Sequence, residues 1–365
     1  MQKKLLMVLG PTEVEREILD IASEPLEYMR TEDYSQKWEQ IFSGLKYVFQ
    51  TKNPVVVFSS SGTGAMEAAV TNFLSANDSV LYINAGSFGK RWGDICQKHR
   101  INAIEIPFEF GLSPDINVIE KYLDKNSNVK AFFATLNETS SGALTDIRAI
   151  GNLLKKYPNI LFIVDCVSGL LTDEFLTDEW GVDVAISASQ KAFALPPGLG
   201  FMSVSQKALK YAEKANLRTF YFDIFDYVNN YKRNQTPFTP AVSLVNQLQK
   251  RLEKIRSEGL ENFRARYREH TEYLRIGLEK LGFKCLAKNS ANCVTAVMTN
   301  DFDASLIVKI MREKYNVEIA PSGGGLKTKL FRIGNYGAVG LDEINHCLEV
   351  LEKVKEELHA NKSLY

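Results

Sequence analysis

The chain has 365 residues, 44 of them basic and 44 acidic, with 45% apolar and 11% aromatic side chains. That length has room for two domains with sizeable cores, and the balanced charge supplies no net field to draw in nucleic acid or an anionic membrane. Five widely spread cysteines (Cys96, Cys166, Cys285, Cys293, Cys347) with no C-x-x-C pair suit reduced cytosolic thiols rather than a disulfide framework or a zinc site.

Leu5-Leu6-Met7-Val8-Leu9 is flanked by basic residues but is too short for a signal-peptide core, and Pro11 follows at once. No apolar run approaches membrane-spanning length. From about residue 50 to 205, short apolar segments alternate with helical patterns. Strands are predicted at 54–58, 79–84, 101–106, 129–134, 160–165, 182–186 and 200–204. Helices are predicted near 63–76, 88–99, 115–124 and 146–157. Such alternation predicts an α/β fold with a largely parallel sheet covered on both faces. Residues 205–232 read as helix with aromatic interruptions that pack on the large domain, and 240–281 as long amphipathic helix broken near Gly259. Residues 293–357 read as an α/β mix ending in a helix at 341–357. The expected domains are therefore 15–240 and 241–365, with residues 1–14 packing near the second. The histidines (His99, His270, His346, His359) never fall at metal-ligand spacing, and Ser363-Leu364-Tyr365 does not match the peroxisomal Ser-Lys-Leu signal.

Three segments carry chemistry. Val55-Val56-Val57-Phe58-Ser59-Ser60-Ser61-Gly62-Thr63-Gly64 reads as strand, Ser/Gly-rich turn and helix start. Glycines let the backbone close on a ligand, and a helix N-terminus presents unpaired N–H groups to an anion. Ser61 and Thr63 add hydroxyl donors. The turn is neither a Walker A loop nor the G-x-G-x-x-G dinucleotide fingerprint. It suits a mononucleotide-sized phosphate, or simply an N-capped helix.

Asp165 closes Ile160-Leu161-Phe162-Ile163-Val164, an unalternating apolar run typical of a strand buried on both faces. Open α/β sheets bind ligands at the C-terminal ends of such strands; a cap or turn Asp is the alternative there. Ser189-Gln190-Lys191 follows Val182-Asp183-Val184-Ala185-Ile186 and precedes Leu195-Pro196-Pro197-Gly198. A lysine held between a buried strand and a Pro-Pro-Gly turn is either a surface lysine or a desolvated amine. In the second case its pKa falls and it can form a Schiff base. An Asp and a Lys on successive strand ends are what pyridoxal phosphate needs: the lysine holds the aldehyde, and the carboxylate keeps the pyridine nitrogen protonated.

Further along, Thr236-Pro237-Phe238-Thr239-Pro240 is a turn before a helix, with Thr239 as N-cap and Pro240 at the first helical position. Arg332 sits amid apolar strand residues after the glycine run Gly323-Gly324-Gly325 and needs an anionic partner. A substrate carboxylate or a structural Asp or Glu would supply one.

Together these segments resemble the class V aminotransferases of fold type I, within the alanine–glyoxylate/serine–pyruvate aminotransferase group. The resemblance runs from Gly10-Pro11-Thr12 to Phe331-Arg332-Ile333-Gly334. It implies a large domain with a mainly parallel seven-stranded sheet, a smaller C-terminal α/β domain, and a cytoplasmic homodimer dependent on pyridoxal 5'-phosphate. Lys191 would carry the cofactor and Asp165 would face the pyridine nitrogen. Ser61, Gly62, Thr63 and Gln190 would hold the phosphate, Phe88 would stack on the ring, and Thr139 would lie near the ring oxygen or phosphate. Thr239 would reach the partner subunit's phosphate, with Thr236 nearby. Arg332 would clamp the α-carboxylate of a small amino acid (alanine, serine or aspartate type) or of a 2-oxo acid (glyoxylate or pyruvate type).

Two segments depart from the family pattern. Met29-Arg30-Thr31 stands where relatives carry His-Arg-Ser/Thr, and Asn335 follows Arg332-Ile333-Gly334 where relatives carry His. Both segments can approach the active site, which gives Arg30 the prospect of meeting a second anionic group on the substrate; a solvated arginine is the alternative. The rival activities are a 2-aminoethylphosphonate–pyruvate aminotransferase and a class V lyase or cysteine desulfurase. The second is disfavoured because no cysteine lies in a glycine-rich loop.

Overall fold

A computed structural model describes residues 4–362; Ser363-Leu364-Tyr365 lie outside the described residues. Seven strands form the main sheet, in the order Val55–Phe58, Gly200–Val204, Val184–Ala188, Leu161–Asp165, Ala131–Thr135, Ser79–Asn84, Asn102–Pro107. Gly200–Val204 runs antiparallel to both its neighbours, and the remaining pairs are parallel. The central strands are buried at every position, which is why their sequences are continuous apolar runs rather than alternating ones.

Alternate residues of these strands feed two cores. Val57, Ile83, Phe132 and Phe162 pack on one face with the helices Glu32–Phe49, Ile116–Lys125, Ile147–Leu154 and Val242–Glu258. Phe58, Tyr82, Phe133 and Ile163 pack on the other face with Gly62–Phe73, Ser87–Lys98, Gln206–Ala212 and Ile224–Tyr231. The sheet is thus the middle of three layers, and ligands of such sheets bind beyond the C-terminal strand ends.

A second sheet has the order Leu5–Met7, Val317–Pro321, Leu330–Gly334, Val294–Met298, Lys284–Cys285. Leu5–Met7 pairs in parallel with Val317–Ile319, so the chain's first strand joins a sheet built from its last third. Ala304–Tyr315, Leu341–Lys362 and the end of Leu260–Lys280 cover this sheet.

Two local findings differ from the expectations, and the break at Gly259 agrees with them. The helix expected across 205–232 is two helices, Gln206–Ala212 and Ile224–Tyr231. Asn72 takes over the backbone between them: its Nδ2 donates to the Phe222 carbonyl and its Oδ1 accepts from the Ile224 N–H. Gly259, at φ 84°, separates Val242–Glu258 from Leu260–Lys280. Val242–Glu258 buries Val245, Leu248, Leu252 and Ile255 in the core of the large sheet. The handover between cores therefore falls inside Leu260–Lys280, whose Phe263 and Tyr267 belong to the first core and whose Leu274 and Leu278 belong to the second.

The 18-residue helix Glu32–Phe49 is an element that the sequence reading passed over. Its signal was present: Tyr34, Trp38, Ile41, Phe42, Leu45 and Phe49 recur at helical spacing and are all buried. Thr31 caps it, with its Oγ1 accepting from the Tyr34 N–H at 3.2 Å.

Candidate active site

A cavity of about 360 Å³ opens at the C-terminal ends of the parallel strands, within the usual size range of small-molecule pockets, about 300–1,000 Å³. It gathers Ser61, Gly62, Thr63, Phe88, Thr139, Asp165, Gln190 and Lys191 from segments more than 120 residues apart. Thr236, Thr239 and Arg332 do not line it.

Lys191 is placed by the strand Val184–Ala188 and the turn that follows. Ser189 Oγ donates to the Pro196 carbonyl at 2.8 Å and accepts from the Leu199 N–H at 3.2 Å, which closes the Pro-Pro-Gly loop over the strand end. Lys191 is buried, and its Nζ donates to the Leu9 carbonyl. Burial lowers its pKa to about 8. A Cβ on Gly10 would stand 3.0 Å from Lys191 Nζ, so a residue without a side chain there lets the N-terminal segment close over the amine.

Asp165 ends the strand Leu161–Asp165, beside the strand that leads to Lys191. Its Oδ1 accepts from the Val167 N–H at 2.9 Å. Burial pushes its pKa up to about 6, against the pull of the Val167 N–H and of the Arg91 charge. A bound cation beside it would reverse that balance and hold it ionised.

The turn after Val55–Phe58 becomes the N-terminus of Gly62–Phe73. Ser61 is the N-cap, its Oγ accepting from the Gly64 N–H at 3.4 Å. A Cβ at Gly62 would come within 2.9 Å of Val167, so this turn and the loop after Asp165 meet only because glycine is there. The helix start, the Ser61 and Thr63 hydroxyls and Gln190 all line the cavity. Gln190 lines the cavity with no side-chain hydrogen bond to its amide among the described residues, which leaves its Nε2 donors uncommitted.

Phe88 lies in the first turn of Ser87–Lys98, and a carboxylate holds that turn. Glu138 Oε2 accepts from the Phe88 N–H at 3.0 Å and the Gly89 N–H at 2.9 Å, while Oε1 accepts from the Ser140 N–H at 3.1 Å and from Ser140 Oγ at 2.5 Å. A buried carboxylate at a helix N-terminus satisfies donors that the helix cannot. Thr139 is buried, with its Oγ1 2.8 Å from Ser168 Oγ.

Arg332 is half-buried. It donates from Nη1 to the Thr139 carbonyl at 3.3 Å and from Nη2 to the Pro321 carbonyl at 2.6 Å, and its Nε is buried without a partner. Burial lowers its pKa, with the Glu138 charge opposing. Its charge also bears on Lys191.

Arg30 does not line the cavity; it lies exposed, with its guanidinium engaged by the turn at 235–237. Its Nη1 donates to Gln235 Oε1 at 2.9 Å and to the Thr236 carbonyl at 2.7 Å, and its Nη2 donates to the Pro237 carbonyl at 3.3 Å. It pins the turn that carries Thr236 and Thr239. Thr236 is buried, with its Oγ1 on the Phe238 carbonyl at 2.9 Å, whereas Thr239 is exposed. Asn335 points away from the cavity. It is fully buried, and its Nδ2 donates to Thr271 Oγ1 on Leu260–Lys280 at 2.8 Å. A short amide serves that helix contact, so the departure from His at 335 bears on packing between helix and sheet.

The sequence reading did not single out Arg91, Glu138, Asn137, Ser168 or Tyr336. Arg91 lines the cavity, with its guanidinium carbon 4.7 Å from the Phe88 ring centre and its Nη1 donating to Thr63 Oγ1 at 3.0 Å. Its spacing of three from Phe88 was the available signal, since residues three apart share a helix face. Asn137 and Ser168 also line the cavity; Asn137 Nδ2 donates to Cys293 Sγ at 2.7 Å, and Lys191 Nζ stands 5.8 Å from the Tyr336 ring centre.

Comparison with known proteins agrees with this fold. Residues 23–329 match the family model described as aminotransferase class-V. An uncharacterized aminotransferase of Methanocaldococcus jannaschii is 37% identical over 98% of this chain and 94% of its own. A protein named soluble hydrogenase, small subunit, from a Synechococcus strain is also 37% identical, over the same shares. L-aspartate–glyoxylate aminotransferase of Paracoccus denitrificans is 36% identical over 92% of this chain and 86% of its own. Among solved structures, alanine–glyoxylate aminotransferase from Nostoc superposes with a TM-score of 0.93 at 26% identity, covering 97% of this chain and 96% of that one. The three-layer domain with its seven-stranded sheet is therefore the fold type I aminotransferase architecture, and the chain belongs to the class-V aminotransferase family.

Proposed function

We propose that the protein is a pyridoxal 5'-phosphate-dependent aminotransferase that moves an amino group between a small amino acid and a glyoxylate- or pyruvate-type 2-oxo acid. One observation carries this: a buried, pKa-lowered Lys191 and a buried Asp165 on adjacent strand ends share a cavity with the open N-terminus of Gly62–Phe73. The residues fit the cofactor. The Gln190 Nε2 hydrogens and the helix start at Gly62 offer uncommitted donors to a phosphate, and Gly10 and Gly62 leave room that a Cβ would take.

When bound, pyridoxal phosphate supplies an aldehyde for an amine and an electron-withdrawing ring. Lys191 would hold it covalently. With a substrate amine in its place, the Lys191 amine would be free to take up the Cα proton and give it back, an exchange that its lowered pKa suits near neutrality. Asp165 keeps the pyridine nitrogen protonated. Ser61, Gly62, Thr63 and Gln190 hold the phosphate, and Phe88 closes on the ring. Thr139 carries the loop against which Arg332 rests, and Arg332 exchanges its backbone contacts for the substrate carboxylate, which orients the Cα–H bond.

The same reading includes a cytoplasmic homodimer in which Thr239, exposed in the single chain, meets the partner subunit's phosphate-binding turn with Thr236 nearby. The large cofactor domain runs from about residue 15 into Leu260–Lys280, where the packing passes from one core to the other, and the small domain follows. Assay of glycine formed from glyoxylate with aspartate, serine or alanine as donor, and of alanine formed from pyruvate with aspartate or serine, tests the activity. Transfer from at least one donor supports it, and no transfer from any, with cofactor bound, would exclude it.

A further inference from the structure

Lys191 and Arg91 are the two cationic side chains lining the cavity, and Lys191 is committed to the cofactor's aldehyde in the reading above. The phosphate end offers hydroxyls, an amide and a helix N-terminus. These carry only partial charge, worth about half a unit at a helix end, whereas a phosphate monoester carries about −1.5 to −2. Arg91 stands at that end: its Nη1 donates to Thr63 Oγ1 at 3.0 Å. No other hydrogen bond engages it among the described residues, so most of its five N–H donors are uncommitted. Stacking of the guanidinium on Phe88, at 4.7 Å, limits where it can point. It lines the cavity, and its charge reaches both Asp165 and Lys191.

We infer that Arg91 is a phosphate-binding residue of this site, supplying the full positive charge that the Ser61-Gly62-Thr63 turn lacks and fixing Thr63 in the orientation that completes the cradle. A planar fork anchored at one N–H to Thr63 leaves its remaining edges for phosphate oxygens. The inference rests on the cofactor assignment, and its test separates the two.

Cofactor-free protein is titrated with pyridoxal phosphate and with pyridoxal, which lacks the phosphate, following quenching of intrinsic fluorescence. Arg91→Gln should weaken pyridoxal phosphate by about 10- to 100-fold, the scale of one charge-assisted contact. Its affinity for pyridoxal should stay within about twofold of the unsubstituted protein, since nothing is lost at the aldehyde end. Arg91→Lys keeps the charge without the fork and should fall between; this variant decides the matter if Arg91→Gln does not fold. Equal weakening of both ligands would show that Arg91 acts only through the Phe88 ring, and no change in either would remove it from the site; both overturn the inference. Failure of the unsubstituted protein to bind either ligand would instead overturn the cofactor assignment on which it stands.

Discussion

The Lys191 ammonium donates to the carbonyl oxygen of Leu9, a residue 182 positions earlier in the chain. Leu9 follows the strand Leu5–Met7, which pairs with Val317–Ile319 of the second sheet. The amine at the centre of the site is therefore held by a segment rooted in the smaller sheet. Gly10 makes that approach possible.

Lys191→Ala should abolish both the visible absorbance of the bound cofactor and transamination while leaving the fold intact, since it removes a buried cation rather than a packing element. Circular dichroism and urea unfolding report the fold, and an absorbance scan reports the cofactor. Retained transamination would refute the assignment.

Asp165→Asn should retain the cofactor but lose activity by orders of magnitude, because an amide cannot hold the ring nitrogen protonated by charge. Near-normal turnover would reduce Asp165 to the turn-capping role it plays toward Val167.

The Lys191 pKa gives a pH prediction for the cofactor-free protein. Burial lowers it from the usual 10.5 to about 8. The folded state thus sheds this proton before the unfolded state does, and the group's contribution to stability rises with pH between about 8 and 10.5. At pH 7 about a tenth of the Lys191 amine is neutral, against roughly one part in three thousand for an ordinary lysine. Its modification by a small aldehyde, trapped by borohydride, should reach half its limiting rate near pH 8. A midpoint near 10.5 would contradict the burial argument.

Glu138→Ala should destabilise the protein by about 2 kcal/mol in urea unfolding, because the Phe88 and Gly89 N–H groups lose a charged acceptor. It should also weaken the cofactor, since the first turn carrying Phe88 loosens. Unchanged stability would mean that water replaces the carboxylate fully.

Much of the fold was legible because its signals are local. Ile160–Val164 and Val55–Phe58 are apolar without alternation, and only a strand buried on both faces wants that. Lys191 and Asp165 were legible for the same reason, since each ends or follows such a run. Arg91 and Glu138 were not. Glu138 acts on a helix start about 50 positions earlier, and nothing in Asn137-Glu138-Thr139 announces that target. Arg30 is exposed, as the solvated alternative expected, but the turn it pins was not legible, because two of its partners are backbone carbonyls, of residues 236 and 237, which any sequence presents alike. The break at Phe222–Asp223 depends on Asn72, 150 positions away.

The most direct test of the account is chemical trapping on the purified protein loaded with pyridoxal phosphate. Borohydride reduction, digestion and mass spectrometry locate the lysine that carries the cofactor. A pyridoxyl group on the peptide containing Lys191, absent if an amino-acid donor is added before reduction, is the predicted result. Attachment to a different lysine in a protein that still transaminates would contradict it.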